Sequence, residues 1–215
     1  MSDDDASPAP GAPPKLFNRL LLAAIIINIG GNFSAGTYDV VWSLYLESLG
    51  AGIELIGFTF AMFGLPILLF SPYLGRRADR GVLVWFVILG GLAPAITGIL
   101  YTLMPDPIWA VPLILIEATG FAALNPALYA VVAAGSPPGR SSTAQGIYGG
   151  AGTIGFVAAS LIAGALAAID IRLPFWFFSA VMFACLGLGL LVAGRELFAF
   201  GREPRTVDTE AATGA

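Results

Sequence analysis

Residues 74–81 read Leu74-Gly75-Arg76-Arg77-Ala78-Asp79-Arg80-Gly81, a charged break between two long apolar runs, Ile53–Tyr73 and Val82–Leu103. Each run has about 20 residues, which at a rise of about 1.5 Å per residue crosses a hydrocarbon core of roughly 30 Å. Three arginines in a turn between two such runs cannot rest in lipid. The positive-inside bias assigns that turn to the cytoplasmic face. With it in place, every other loop takes its side by alternation.

Before the break, a first span covers Leu16–Leu46, opened by Lys15 and Arg19. It is too long for one vertical crossing, so a tilt or a bend at Gly30-Gly31 is expected. Glu47–Glu54 is an outer turn without Lys or Arg, and Pro66 and Pro72 are expected to bend the returning span. After the break, Val82–Leu103 leads out to Pro105-Asp106-Pro107, and Ile108–Ala134 leads back. Gly135–Arg140 is an inner turn, and Ser141–Ile169 goes out with Ser141 or Ser142 as its N-cap. Asp170–Arg172 is the last outer turn, and the final span runs from Pro174 to Gly194-Arg195. On this path Lys15, Arg19, Arg76, Arg77, Arg80, Arg140, Arg195, Arg202 and Arg205 fall inside and Arg172 outside. The expectation is an all-α polytopic membrane protein with six transmembrane helices in the cell's inner (plasma) membrane, both termini cytoplasmic. Residues 1–14 read as a disordered acidic, Pro/Ala-rich tail and 15–195 as the six-helix domain. Residues 196–215 read as a second cytoplasmic tail whose first residues lie in the interface.

Composition narrows the class. The 215 residues are 57% hydrophobic and 11% charged, where a soluble domain carries about a quarter charged residues. The net charge of −4 owes most to Asp3, Asp4 and Asp5, and the arginines sit at membrane flanks in no continuous stripe, so nucleic acid is not an expected partner. Cys185 is the single cysteine, which excludes an intrachain disulfide, and there is no histidine to build an imidazole metal site or proton relay. No nucleophile–base pair, metal-ligand cluster or phosphate loop is present, so neither an enzyme nor a metal or cofactor is expected.

Helical-wheel positions at about 100° per residue sort the spans. Asn28, Asn32, Ala35, Asp39 and Ser43 share one sector of the first helix, bordered by Trp42. Glu117 and Asn125 lie at neighbouring angles on the fourth, and Gln145, Gly149, Gly152, Phe156 and Ser160 share a face of the fifth. The third and sixth helices carry little that is polar beyond Thr97, Ser179 and Cys185, so these two are expected to face mostly lipid. Ala151, Gly155, Ala159, Ala163 and Ala167 recur every fourth residue on the fifth helix. Such a small-residue ladder serves either close packing within the chain or a seam against another six-helix unit.

Asp39 and Glu117 are the carboxylates placed well inside spans. Both stand roughly 12–16 Å from the outer helix ends. A charged acid there costs about 2.5–3.5 kcal/mol on insertion scales, and no embedded Lys or Arg in this chain can pair with it. Each is therefore a candidate for proton exchange with a water-filled cavity. The alternatives are structural: for Asp39 a hydroxyl of the first or second helix, for Glu117 burial as a neutral acid against Thr119 or Tyr148. The amides Asn28, Asn32, Asn125 and Gln145 suit a cavity wall or an interhelical bond. Trp42 suits the cavity or the aromatic belt.

Over Leu16–Gly194 the chain resembles the major facilitator superfamily. The resemblance rests on Gly75, Ala78, Asp79 and Arg80, which match the family's inner-turn signature G-x-L-A-D-R-x-G-R-R. Arg77 replaces its Leu, and Val82-Leu83 replace its final basic pair, as in a second half more than a first. The run Gly36-Thr37-Tyr38-Asp39, followed by Val41-Trp42-Ser43-Leu44-Tyr45, looks like the opening helix of second halves in efflux-type members. The Gly-Pro pair of the drug-antiporter subgroup is missing from the fifth helix. The resemblance implies that the first and fourth helices line a central cavity, the second and fifth meet another half, and the third and sixth face outward. It also implies a gating role for Gly75, Asp79 and Arg80. The functional expectation is a small-molecule secondary transporter, efflux-type and proton-coupled, that pairs with itself or a complementary half. The alternative is a non-transporting remnant, scaffold or regulatory membrane subunit.

Overall fold

The computed structural model describes residues 16–77 and 83–200. The tail expected over residues 1–14, most of the tail expected over 196–215, and Ala78, Asp79, Arg80 and Gly81 of the charged turn lie outside the described residues. Six helices follow one another: α1 (Arg19–Ser48), α2 (Ile53–Arg77), α3 (Leu83–Tyr101), α4 (Ala110–Gly135), α5 (Ser141–Ala167) and α6 (Leu173–Phe200), with a short 3-10 turn at Pro107–Trp109 leading into α4. Each is long and apolar enough to cross a membrane. The chain is thus an all-α, multi-pass membrane protein.

Local signals explain the ends. Asn18 caps α1 by accepting from the Leu21 backbone N–H at 2.9 Å. Gly50, at φ +88°, makes the tight turn after α1, where a residue with a Cβ would be strained. Asp106 accepts from Ile108 N–H and opens the 3-10 turn. Neither Ser141 nor Ser142 caps α5: the cap position is Arg140, with no side-chain bond, and Ser141 is already helical. Arg76 and Arg77 belong to the last turn of α2 and not to a loop, where they complement the negative end of the helix dipole. The guanidinium of Arg77 also stacks over the Tyr73 ring at 5.0 Å. Pro66 and Pro72 stay inside α2, whereas α6 breaks its helical geometry at Ala193 (φ −134°, ψ 15°), beside the expected end at Gly194.

At Gly30-Gly31, the point named for a bend, the structure shows close packing. α1 runs as one helix through both glycines. A Cβ on Gly30 would lie 2.8 Å from Cys185 Cβ and 2.9 Å from Met182 Sδ, so glycine there lets α6 approach.

Packing follows a repeat. α1 rests on α5 and α6, α4 rests on α2 and α3, and α3 meets α6. Exchanging helices one to three with four to six interchanges the α1 and α4 contacts and maps the α3–α6 contact onto itself, which is the pattern of two three-helix repeats. Side-chain bonds tie matching ends together: Asn18 Nδ2 donates to Gly135 O where α1 begins and α4 finishes, and Tyr45 hydroxyl donates to Tyr101 O at the opposite face. Two apolar cores result. One joins Leu21, Ile27, Leu124, Leu128, Met182 and Leu197 near the face where α1 begins, and the other is largely aromatic, around Trp42, Tyr45, Tyr101, Phe175 and Phe178.

One expectation changes, and one pair of alternatives is decided. α3 and α6 expose Trp85, Leu89, Trp176 and Leu188, but each also buries a face: Val87, Ala95 and Tyr101 on α3, Phe175, Phe178 and Met182 on α6. The least covered helices are α2 and α5. The small-residue ladder of α5 is an internal seam: Gly155, Ala159 and Ala163 are buried, and a Cβ on Gly155 would lie 2.9 Å from Ile29 O of α1. Ala159 is 0% exposed, so the ladder is not a free edge for another unit.

Candidate functional site: a cavity between α1 and α4

α1 and α4 touch each other only lightly, because each packs mainly on other helices. The space left between them, floored by α2 and edged by α5, is a cavity of about 420 Å³. That size suits a small organic molecule. Of the residues singled out in the sequence, Asn28, Asn32, Asp39 and Trp42 from α1 and Glu117 and Asn125 from α4 border it. Gln145 does not: it is exposed on α5, away from this lining. Gly75 is half-buried near the end of α2, where a Cβ would come within 3.5 Å of Pro126 Cβ on α4. Asp79 and Arg80 lie outside the described residues.

Glu117 is 0% exposed. Its Oε2 accepts two hydrogen bonds, from the Tyr38 hydroxyl at 2.7 Å and the Tyr101 hydroxyl at 2.8 Å. Among the described residues its Oε1 has no partner. The neighbours expected for it, Thr119 and Tyr148, are elsewhere: Thr119 donates to Leu115 O on an exposed face, and Tyr148 lies against Tyr129 with its backbone carbonyl bonded to Asn28. Two phenols on one carboxylate oxygen hold the group in place and leave the other oxygen open to a proton or a ligand. Tyr38 itself borders the cavity, while Tyr101 approaches from the far side.

Asp39 differs in kind. It is exposed on the cavity wall one residue beyond Tyr38, so the two acids have separate environments in one space. Asn125 is likewise exposed. Asn28 and Asn32 are already engaged: Asn28 Nδ2 donates to Tyr148 O at 2.8 Å, and Asn32 Nδ2 donates to Asn28 Oδ1 at 2.8 Å. Both amides border the cavity; Asn28 ties α1 to α5, and Asn32 braces Asn28 from within α1. Gly152 makes room for them, since a Cβ there would stand 2.6 Å from Asn28 Nδ2. Trp42 is not a belt residue. It is 1% exposed, donates to Thr59 Oγ1 at 3.0 Å, and stacks edge-on with Tyr38 and Tyr101. Tyr38 and Trp42, which border the cavity, belong to an aromatic cluster with Tyr45, Tyr101 and Phe175.

Tyr38 and Tyr101 are what sequence reading missed. Tyr38 was visible beside Asp39, but Tyr101 sits at the end of an apolar helix, where tyrosine also marks a membrane interface. Among the described residues no group of three or more His, Cys, Asp or Glu side chains could hold a metal ion.

Six apolar helices around a ligand-sized, mainly apolar cavity that carries two acids and three amides define a multi-pass membrane protein of transporter type. The family model described as Major Facilitator Superfamily matches residues 21–212, and the chain belongs to that superfamily. No curated protein matches the chain.

Proposed function

We propose that this chain is a six-helix half of a proton-coupled, efflux-type secondary transporter, completed by a second copy or a complementary half. The observation that carries the proton coupling is Glu117: a fully buried carboxyl beside the cavity, held through one oxygen by Tyr38 and Tyr101, with the other oxygen unpartnered. Such a group can gain or lose its proton without losing its position. The need for a second unit follows from Asp39 and Asn125, polar and exposed at membrane depth, where contact with lipid is costly. A covering half would enclose the cavity and supply the moving partner that alternating access requires. Gly75, Asp79 and Arg80 would form the gate at the inner turn.

The test is transport by the purified chain in proteoliposomes. An imposed pH gradient should drive flux of at least one compound from a panel of amphipathic and sugar-like molecules, with matched proton movement. Native mass measurement in lipid should show two six-helix units. A monomer without flux for any compound would favour the scaffold reading instead.

Orientation in the plasma membrane is testable separately. In a Cys185→Ala background, Ala78→Cys should label only from the cytoplasmic side and Asp106→Cys only from outside. The reverse pattern would overturn the orientation.

A further inference from the structure

The charge inventory of the cavity is one-sided. Among the described residues its bordering side chains include two carboxylic acids, Asp39 and Glu117, and no Lys or Arg. An anion entering it would meet only acids. The Asn28 and Asn32 amide nitrogens already donate to Tyr148 O and Asn28 Oδ1, so the exposed polar groups of the wall are chiefly Asp39 and Asn125. The rest of the wall is largely aromatic and aliphatic, with Phe60 and Phe63 from α2, Phe121 from α4 and Phe156 from α5. Aromatic faces attract organic cations through their quadrupole, more strongly where water is excluded.

We propose that the wall contributed by this chain binds amphipathic organic monocations, with the exposed Asp39 carboxylate as counter-ion and the phenylalanines as the apolar shelf. This rests on the transporter reading above and divides its two acids. Asp39 is exposed on the cavity wall and free to meet a ligand's charge, whereas Glu117 is fully buried and held through Oε2 by the hydroxyls of Tyr38 and Tyr101. The unpartnered, fully buried Glu117 Oε1 is the second sign that the space is built for an occupant, because a buried acceptor left without a bond is costly. Ligand and proton then use neighbouring but separate carboxyl groups.

The test is equilibrium binding to the full chain in nanodiscs without any gradient, with empty nanodiscs subtracted. Tetraphenylphosphonium and tetraphenylborate have the same shape and opposite charge, so the pair reads the sign of the site directly. Saturable binding is expected for the phosphonium and not for the borate. Asp39→Asn should weaken the phosphonium at least tenfold, and Asp39→Glu should keep most of the affinity. Equal saturable binding of both ions, no saturable phosphonium binding, or an unchanged affinity in a well-folded Asp39→Asn would overturn the proposal. The wild-type comparison of the two ions decides even if that variant fails to fold. Charge-selective binding without gradient-driven flux would remove the coupling reading and leave the site. Gradient-driven flux of other cargo without phosphonium binding would do the opposite.

Discussion

Gly36→Ala is expected to cost this protein more stability than any other single-methyl addition on α1. A Cβ at position 36 would stand 2.3 Å from Phe156 O and 3.1 Å from Ala159 Cβ, and the first of these is backbone of α5 that no rotamer change can move. α1 and α5 would have to separate locally, stretching the bond from Ser160 Oγ to Gly36 O, now 3.2 Å. They would also strain the joint in which Asn28 reaches Tyr148 O. Overpacking of this kind costs about 1–3 kcal/mol. In a chain of this size that lowers the melting temperature by roughly 2–12 °C. Gly57→Ala is the matched control, because nothing lies within 4 Å of a Cβ at that helical position. It should melt within about 0.5 kcal/mol of wild type. Equal melting of the two variants in the same detergent would show that the α1–α5 seam is not as tight as described.

Glu117→Gln is expected to bring gradient-driven transport down to the level of protein-free vesicles while leaving the fold intact. The substitution keeps size and shape. The Gln carbonyl oxygen can still accept from Tyr38 and Tyr101, whose hydroxyls now stand 2.7 and 2.8 Å from Oε2. Its amide nitrogen takes the place of Oε1, which has no partner to lose. What disappears is the ability to bind and release a proton. Exchange of labelled cargo across vesicles without a pH gradient should persist, since that needs the cavity and its motion but no proton. Transport with unchanged pH dependence in the variant would make Glu117 a structural acid. Loss of both modes together with lowered melting would point the same way.

The membrane-spanning character and the number and order of the helices were legible in the sequence because they depend on quantities that add along the chain: run length, apolarity and the placement of arginine. The same holds for which faces of α1 and α4 are polar, since helical periodicity is local. Asn28, Asn32, Asp39, Glu117 and Asn125 could thus be grouped before any contact was known, and the structure places them around one cavity. What tertiary structure alone decided is which groups meet. Tyr101 reaches Glu117 from α3, and Gln145 turns away although its wheel position resembles that of Gly152. The α5 ladder closes on α1 and is no outer edge, because Gly36, Gly152 and Gly155 together let those two backbones come close. In lipid the apolar effect that sorts inside from outside in water is missing. A stripe of small residues therefore says that a helix packs closely without saying on what. The partner is chosen by complementary shape across residues more than a hundred positions apart, such as Gly36 and Phe156, and no periodicity along the chain encodes that.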